Sequence, residues 1–216
     1  MSVKELEKQL SDDLIVSQLN LKDVRRYLLF KNFYDVVFAL VGIVITFPIL
    51  ILFCLFIKLE SKGPAFYTQE RVGKNGKLFN VIKLRSMYID AEAKGAQWAS
   101  KNDPRITKIG NFIRKTRIDE IPQLINVLKG DMSIIGPRPE RPIFTEQFEK
   151  EIPGFIHRLA IKPGLTGWAQ VNGGYDITPK QKLNYDLFYI NNLSLRIDSK
   201  ILLKTIGVVF TGDGAR

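Results

Sequence analysis

The sequence predicts an α+β, mostly helical protein with a single membrane-embedded helix, a small domain that includes a short β-hairpin, and interfacial amphipathic helices. Three patterns support this fold class. An uncharged apolar segment lies near the N-terminus, a pair of short alternating segments follows it, and later segments carry apolar residues at helical spacing. We divide the chain into an N-terminal amphipathic extension (1–30), a membrane helix (31–58) and a remaining domain (59–216).

Composition limits the chemistry that is available to the chain. With 216 residues, 45% of them apolar and 25% charged, it is neither disordered nor a polytopic membrane protein. The formal net charge of +10 suits nucleic acid, an anionic membrane surface or a phosphate-bearing substrate. Cys54 and His157 are the only residues of their types, which excludes an internal disulfide and a metal site built from several cysteines or several histidines. Carboxylates, arginines, lysines and hydroxyls therefore provide most of the groups that could carry a reaction.

The extension and the apolar segment predict two different relations to a membrane. Leucines at roughly helical spacing among charged residues predict an amphipathic helix in residues 1–30, at the membrane interface or on a partner surface, and a mobile tail is the alternative. From Val36 to Ile57 no residue is charged, and these 22 positions meet the roughly 20 that a spanning helix needs. Pro48 interrupts the segment near its middle, and both flanks are basic. A spanning helix and a re-entrant helix broken at Pro48 are both compatible, and the basic flanks favour re-entry.

The first part of the following domain predicts a β-hairpin. Segments from Phe66 to Arg71 and from Lys77 to Lys83 flank the turn Gly73-Lys74-Asn75-Gly76. Good helix formers from Met87 to Ala99 then predict a helix.

An acidic pair lies at the start of the next predicted helix. Four apolar residues share one helical face: Ile121, Leu124, Ile125 and Leu128. Because Pro122 is tolerated only near a helix start, the helix should begin at about Asp119. Asp119 and Glu120, just after the cation Arg114, could act as nucleophile, base or metal ligands. By itself, a pair that only starts a helix is the simpler interpretation.

Two further segments contain candidate binding residues. The loop from Gly136 to Pro142 holds Arg138 between prolines, and a guanidinium is well suited to phosphate. A helix is predicted from Pro179 to Ile190, where Asp186 lies among aromatic residues that suit either a bilayer interface or a buried core.

Together these segments resemble the bacterial sugar transferase family, the small monotopic phosphoglycosyl transferases, from about Lys31 to the C-terminus. The passages that carry the resemblance are Gln69-Glu70-Arg71-Val72-Gly73, Lys83-Leu84-Arg85-Ser86-Met87, Asn102-Asp103-Pro104-Arg105-Ile106-Thr107, Arg117-Ile118-Asp119-Glu120-Ile121-Pro122-Gln123-Leu124, Lys129-Gly130-Asp131-Met132-Ser133, Gly136-Pro137-Arg138-Pro139 and Lys162-Pro163-Gly164-Leu165-Thr166-Gly167-Trp168.

The resemblance implies a re-entrant helix broken at Pro48 and a covalent mechanism. Asp119 would be the nucleophile, and Glu120 would bind a metal or assist proton removal. Mg²⁺ would bridge these two carboxylates to the diphosphate of the substrate. The residues expected to bind substrate are Lys83, Arg85, Arg114, Arg138 and Asp186.

The implied reaction moves a sugar-1-phosphate from a nucleotide sugar, expected to be a UDP-sugar, to undecaprenyl phosphate or another polyprenyl phosphate. This would be the first membrane step of polysaccharide (exopolysaccharide or capsule) or glycoconjugate assembly, in the bilayer of the bacterial cytoplasmic (inner) membrane with the catalytic domain on the cytosolic face. A homo-oligomer is compatible with the sequence. The alternatives are a non-catalytic basic protein that binds nucleic acid or anionic lipid, which leaves the uncharged segment unexplained, and an inactive membrane scaffold.

Overall fold

A computed structural model of the protein describes residues 21–93, 95, 97, 103–173 and 177–211, so most of the predicted amphipathic extension lies outside the described residues. In chain order the elements are α1 (Leu21–Glu60), β1 (Phe66–Val72), β2 (Leu78–Leu84), α2 (Lys108–Lys115), α3 (Leu124–Lys129), β3 (Ser133–Ile135), α4 (Pro142–Glu151), β4 (Gly164–Thr166), α5 (Trp168–Gly173), α6 (Pro179–Asn191) and α7 (Leu195–Thr211). Short 3₁₀ helices lie at Lys74–Gly76, Ile118–Gln123 and Phe155–Ala160. The predicted mostly helical α+β class is confirmed.

Helix α1 is one helix of 40 residues, about 60 Å long at about 1.5 Å per residue. Its part from Arg26 to Glu60 is long and apolar enough to cross a membrane, judged by length and composition. The helix assignment continues through Pro48, and a bend of the helix at this residue stays a prediction. Thr46 Oγ1 donates to the carbonyl of Gly42 at 2.6 Å, which is an ordinary hydroxyl contact within a helix. Re-entry of α1 into the same membrane face stays a prediction.

One stripe of α1 packs on the rest of the protein along most of its length. Lys31, Asp35, Ala39 and Ile57 are buried at intervals that return to the same helix face. The opposite face is apolar and exposed, and includes Val44 at 67% and Ile45 at 68% exposure. Helix α1 therefore lies along the domain instead of projecting from it at one end.

The start of α1 is fixed to the C-terminal helices by a buried polar network. Asp198 of α7 accepts hydrogen bonds from Tyr27 at 2.5 Å, from Lys31 at 3.1 Å and from Tyr189 of α6 at 2.7 Å. At the other end of α1, the Glu60 carboxylate accepts from the backbone N–H groups at the start of α2, with Lys108 N at 2.8 Å. Both ends of the helix are thus attached to the same domain.

The predicted hairpin is confirmed. Strands β1 and β2 pair antiparallel, with a register that runs from Phe66 opposite Leu84 to Val72 opposite Leu78. The predicted helix from Met87 to Ala99 is wrong in its described part, because Met87 forms an isolated bridge with Ile106 and turns follow it. Pairing with a distant residue here overrides the local helix propensity.

The predicted helix from about Asp119 is present in two parts. Residues Ile118–Gln123 form the 3₁₀ helix, which accommodates Pro122 near the start, and α3 follows directly. Gly130 ends α3 with a φ of 82°, a left-handed conformation that favours glycine. The predicted helix from Pro179 is also confirmed as α6, which begins at a capping box formed by Thr178 and Gln181.

A short parallel sheet, which the sequence did not indicate, holds the proline-rich loop in place. Strand β3 pairs with β4, with Ser133 opposite Gly164 and Ile135 opposite Thr166. The backbones approach so closely that a Cβ on Gly164 would lie 2.0 Å from the nitrogen of Gly136. This contact requires glycine and fixes the point at which the loop toward Arg138 begins.

Candidate active site

A cleft with a cavity volume of about 430 Å³ lies between the hairpin, the 3₁₀ helix at Ile118–Gln123 and the loop after β3. Its size falls within the range of small-molecule sites. Six of its lining residues form a charged group: Lys83, Arg114, Arg117, Asp119, Glu120 and Arg138. Five of these were predicted site residues, and the structure brings them to one cleft.

Glu120 is held as a carboxylate by two cations. Lys83 Nζ donates to its Oε1 at 3.0 Å, while Arg138 donates to both oxygens, with Nη1 3.3 Å from Oε2. Burial opposes ionisation of Glu120, but Arg138 and Lys83 outweigh it and hold the pKa of this carboxyl well below its usual value. Glu120 thereby positions the two cations, and it is negatively charged at any physiological pH.

Asp119 has a different environment, although it is the neighbouring residue. Its side chain is buried, and its Oδ1 has no hydrogen-bond partner in the described part of the chain. Burial raises the pKa of Asp119 to about 6; Lys83 opposes this shift and the charge of Glu120 adds to it. An oxygen without a partner and with raised basicity is the better nucleophile of the two.

A buried ion pair holds the backbone of Arg138 in place. Arg158 donates to the carbonyl of Arg138 at 2.8 Å, and its guanidinium pairs with Asp186 at 2.7 Å. The side chains of Arg158 and Asp186 are only 2% and 1% exposed. Asp186 does not line the cleft, so it supports Arg138 through Arg158 and the structure does not bring it to the position of a substrate contact.

Arg85 lines the cleft but is occupied at the end of α1. Its guanidinium donates to the carbonyls of Ile57 at 3.3 Å, Ser61 at 2.7 Å and Lys62 at 2.6 Å. Ile57 lies in the last turn of α1, where its carbonyl also accepts from Ser61 N at 3.2 Å, and Ser61 and Lys62 follow the helix, where no further helical turn supplies donors. Gly63, with a φ of 117°, leaves the space for this contact, since a Cβ there would lie 2.3 Å from Arg85 Nη1. Substrate binding by Arg85 stays a prediction, with most of its donors already used.

Arg114 lies in the second turn of α2, and its Nη1 is 3.5 Å from Ser86 Oγ. Thr107 caps α2 by accepting from Gly110 N at 2.9 Å. The cap and the Glu60 contact fix the start of this helix, and its last turn then carries Arg114 into the cleft.

Some cleft residues were missed by the sequence argument. Glu140 and Lys182 form an ion pair at 2.7 Å, and Arg71 donates to the carbonyl of Pro139 at 3.3 Å. Arg71 and Glu140 lie within or next to the passages that carry the family resemblance, so they could have been chosen. Lys182 gave no local signal, because its partner is far away in the sequence.

The carboxylates of the cleft offer part of a ligand set for the predicted metal ion. No group of three or more His, Cys, Asp or Glu side chains suited to a metal lies within the described residues. Mg²⁺ is commonly bound by one or two carboxylates together with substrate phosphates and water. The oxygen of Asp119 that lacks a partner, together with Glu120, fits such a shared site, in which the protein supplies only part of the ligands.

The sequence profile of the bacterial sugar transferase family matches residues 26–212. The chain belongs to the bacterial sugar transferase family. The match contains α1 from residue 26 onward and every residue that lines the cleft, so the geometry described above is that of a bacterial sugar transferase.

Three relatives of this bacterial sugar transferase share much of its sequence. A Bacillus subtilis (strain 168) protein named "Putative undecaprenyl-phosphate N-acetylgalactosaminyl 1-phosphate transferase" is 65% identical over 134 residues, which are 62% of this chain and 75% of that protein. The UDP-N-acetylgalactosamine-undecaprenyl-phosphate N-acetylgalactosaminephosphotransferase of Aeromonas hydrophila is 46% identical over 193 residues, 88% of this chain and 46% of that protein. The UDP-glucose:undecaprenyl-phosphate glucose-1-phosphate transferase of Escherichia coli (strain K12) is 41% identical over 192 residues, 87% of this chain and 41% of that protein. This chain therefore spans less than half the length of the last two.

Proposed function

We propose that this protein transfers a sugar-1-phosphate from a UDP-sugar to undecaprenyl phosphate, through a covalent phosphosugar on Asp119. The observation that carries the proposal is the unequal environment of the acidic pair. Glu120 is ionised and paired with two cations. Asp119 has a raised pKa, and its Oδ1 has no hydrogen-bond partner among the described residues. The names of the relatives, which describe transfer of sugar phosphates with undecaprenyl phosphate, support the substrate classes.

In the first step, an oxygen of the Asp119 carboxylate forms a bond to the phosphorus that carries the sugar. The bond from this phosphorus to the bridging oxygen breaks, and the nucleoside monophosphate leaves with that oxygen and its electron pair. Phosphoryl transfer depends mainly on alignment and on neutralisation of charge. Lys83 and Arg138, positioned by Glu120, lie next to Asp119 and supply positive charge where the leaving group develops negative charge.

In the second step, a phosphate oxygen of the polyprenyl phosphate attacks the same phosphorus. The bond between phosphorus and Asp119 breaks, and the carboxylate is regenerated with its electron pair. The product is a polyprenyl diphosphate sugar, so the overall reaction conserves one phosphoanhydride bond. Neither step needs a histidine or a cysteine, in agreement with a cleft built from carboxylates and cations.

Mg²⁺ would be held by Asp119 and Glu120 together with the donor phosphates, where it would neutralise charge on the diphosphate. The protein's own contribution is to keep Glu120 ionised and to hold the cations around it.

The proposed location is the bacterial cytoplasmic membrane, with the cleft on the cytosolic side. The exposed apolar face of α1 supports contact with lipid. The attachment of both ends of α1 to one domain, at Lys31 and at Glu60, supports a helix that enters and leaves on the same side. A lipid-linked acceptor could then reach the cleft from the membrane.

The test is release of nucleoside monophosphate by the detergent-solubilised protein with Mg²⁺, undecaprenyl phosphate and a panel of UDP-sugars. We expect release with at least one donor, and loss of at least 1,000-fold in Asp119→Asn, since the amide cannot form the intermediate. Asp131→Asn, which lies outside the cleft lining, is the matched control and should retain full activity.

The two parts of the proposal are tested separately. Release that persists in Asp119→Asn would overturn the covalent role of Asp119. No release with any UDP-sugar in the parent protein would overturn the UDP-sugar assignment.

A further inference from the structure

Arg117 has a backbone conformation that its residue type disfavours. Asn75 and Arg117 are the non-glycine residues with positive φ within the described part of the chain. Asn75 lies in the hairpin turn and is of a type that often adopts this conformation. Arg117, with φ of 59° and ψ of 13°, is not.

The backbone at Arg117 joins α2 to the 3₁₀ helix that carries the acidic pair. Its N–H donates to the carbonyl of Arg114 at 3.2 Å, and its own carbonyl accepts from Glu120 N at 3.1 Å. A glycine would make both bonds without the steric cost. These two bonds use the left-handed backbone and not the side chain of Arg117, and strain of this kind is concentrated at functional sites.

The side chain of Arg117 lines the cleft beside Asp119. Burial lowers the pKa of its guanidinium; Glu120 and Asp119 act in the opposite direction, which puts both carboxylates within electrostatic reach. Lys115, two residues earlier, is exposed and lies outside the cleft lining. Arg117 therefore contributes to the cleft lining, whereas Lys115 does not.

The charge of the cleft lining indicates which kind of ligand the Arg117 guanidinium contacts. Cations outnumber carboxylates in the lining of the cleft: the cations are Arg71, Lys83, Arg85, Arg114, Arg117, Arg138, Arg141, Arg158 and Lys182, and the carboxylates are Glu92, Asp119, Glu120 and Glu140. The difference, nine minus four, leaves an excess of five positive charges, which suits an anionic ligand. The diphosphate diester of a nucleotide sugar carries two negative charges, and guanidinium groups bind phosphate oxygens in a fixed geometry.

We propose that Arg117 is a donor-binding residue whose guanidinium contacts the diphosphate of the nucleotide sugar. This inference rests on the proposed function, because it takes the donor from it. Arg117 acts on the ground-state complex as well as on the reacting phosphate, so its loss weakens binding of the donor and of its nucleoside diphosphate part.

Arg117→Gly is the decisive variant, because glycine accepts the left-handed backbone and removes only the side chain. The probe is UDP with Mg²⁺, titrated into the detergent-solubilised full chain by calorimetry, with donor KM and kcat measured alongside. We expect UDP affinity to fall at least tenfold and donor KM to rise by a similar factor, with a Tm equal to or above that of the parent. Lys115→Ala removes the same charge outside the cleft and should change both values less than twofold.

The outcomes separate this inference from the proposed function. Parent-like UDP affinity in Arg117→Gly would overturn the role of Arg117. A lower kcat with unchanged KM and UDP affinity would also overturn it, since that pattern indicates a positioning role. UDP binding that depends on Arg117, without sugar-phosphate transfer by the parent, would sink the proposed function and leave the inference standing. A parent protein that binds no UDP would overturn the inference too.

Discussion

Replacement of Asp186 by asparagine tests whether this residue supports the cleft or contacts the substrate. In the structure its carboxylate pairs with Arg158 at 2.7 Å, and Arg158 in turn donates to the carbonyl of Arg138. Asparagine keeps the shape and one acceptor oxygen but removes the negative charge. Arg158 would then be a buried cation without its counter-charge.

The expected loss of stability follows from the burial of the pair. Removal of one partner from a buried ion pair costs about 3–5 kcal/mol, and both Asp186 and Arg158 are almost completely buried. Because asparagine retains a hydrogen-bond acceptor, we expect the lower value, about 3 kcal/mol. For a chain of this length, this corresponds to a decrease in Tm of about 6–12 °C.

Thermal unfolding of the detergent-solubilised variant, followed by circular dichroism, measures this loss. Asp131→Asn is the matched control, since Asp131 is partly exposed and lies outside the cleft, and its Tm should change by about 1–2 °C at most. A second variant, Asp186→Leu combined with Arg158→Met, removes both charges and should be more stable than Asp186→Asn. A parent-like Tm in Asp186→Asn, together with a raised donor KM, would refute the supporting role and restore the predicted substrate contact.

Three further predictions concern Asp119 and Arg85. Because the pKa of Asp119 is about 6 and its carboxylate is the reactive form, kcat/KM for the donor should fall about tenfold between pH 7 and pH 5; a flat pH profile would contradict this. The pKa of Asp119 in the folded protein lies above the ordinary value of 3.8, so the folded state disfavours its ionised form. The free energy of unfolding is therefore lowered at neutral pH and rises as the pH falls from about 6 to about 4. Asp119→Asn should therefore raise stability at pH 7.5 by up to about 3 kcal/mol and by much less at pH 4, measured by thermal unfolding at both values. Arg85→Ala should lower stability by about 2 kcal/mol, since it leaves the carbonyls at the end of α1 without their charged donor; a Tm within about 2 °C of the parent would contradict the capping role.

Local patterns in the sequence predict the elements whose causes are themselves local. The hairpin follows from alternation around the turn at Gly73–Gly76, and α6 follows from Thr178 before Pro179. The prediction fails from Met87 onward, because a bridge to Ile106 decides the conformation there. Helix α1 continues through Pro48, since a proline removes one hydrogen bond but leaves the rest of a long helix intact.

The same distinction applies to the cleft. The family motifs pointed to Asp119, Glu120, Lys83, Arg114 and Arg138, and the structure brings all five together. They did not indicate that Asp186 pairs with Arg158, because a carboxylate that pairs with a residue 28 positions away has no local signature; its contact with substrate stays a prediction. Motifs identify which residues a cleft requires, but the division between contact and support depends on tertiary pairing.

The end of α1 contacts residues that support two cations of the cleft, Lys83 and Arg114. Arg85 donates to carbonyls in the last turn of α1 and just after it, and Lys83 lies two residues earlier, in β2. Glu60 binds the first N–H groups of α2, and Arg114 lies in the last turn of that helix. A displacement of the end of α1 would therefore move the supports of Lys83 and of Arg114 together. On these contacts, the positions of Lys83 and Arg114 both depend on the end of α1, the helix that we propose to lie in the membrane.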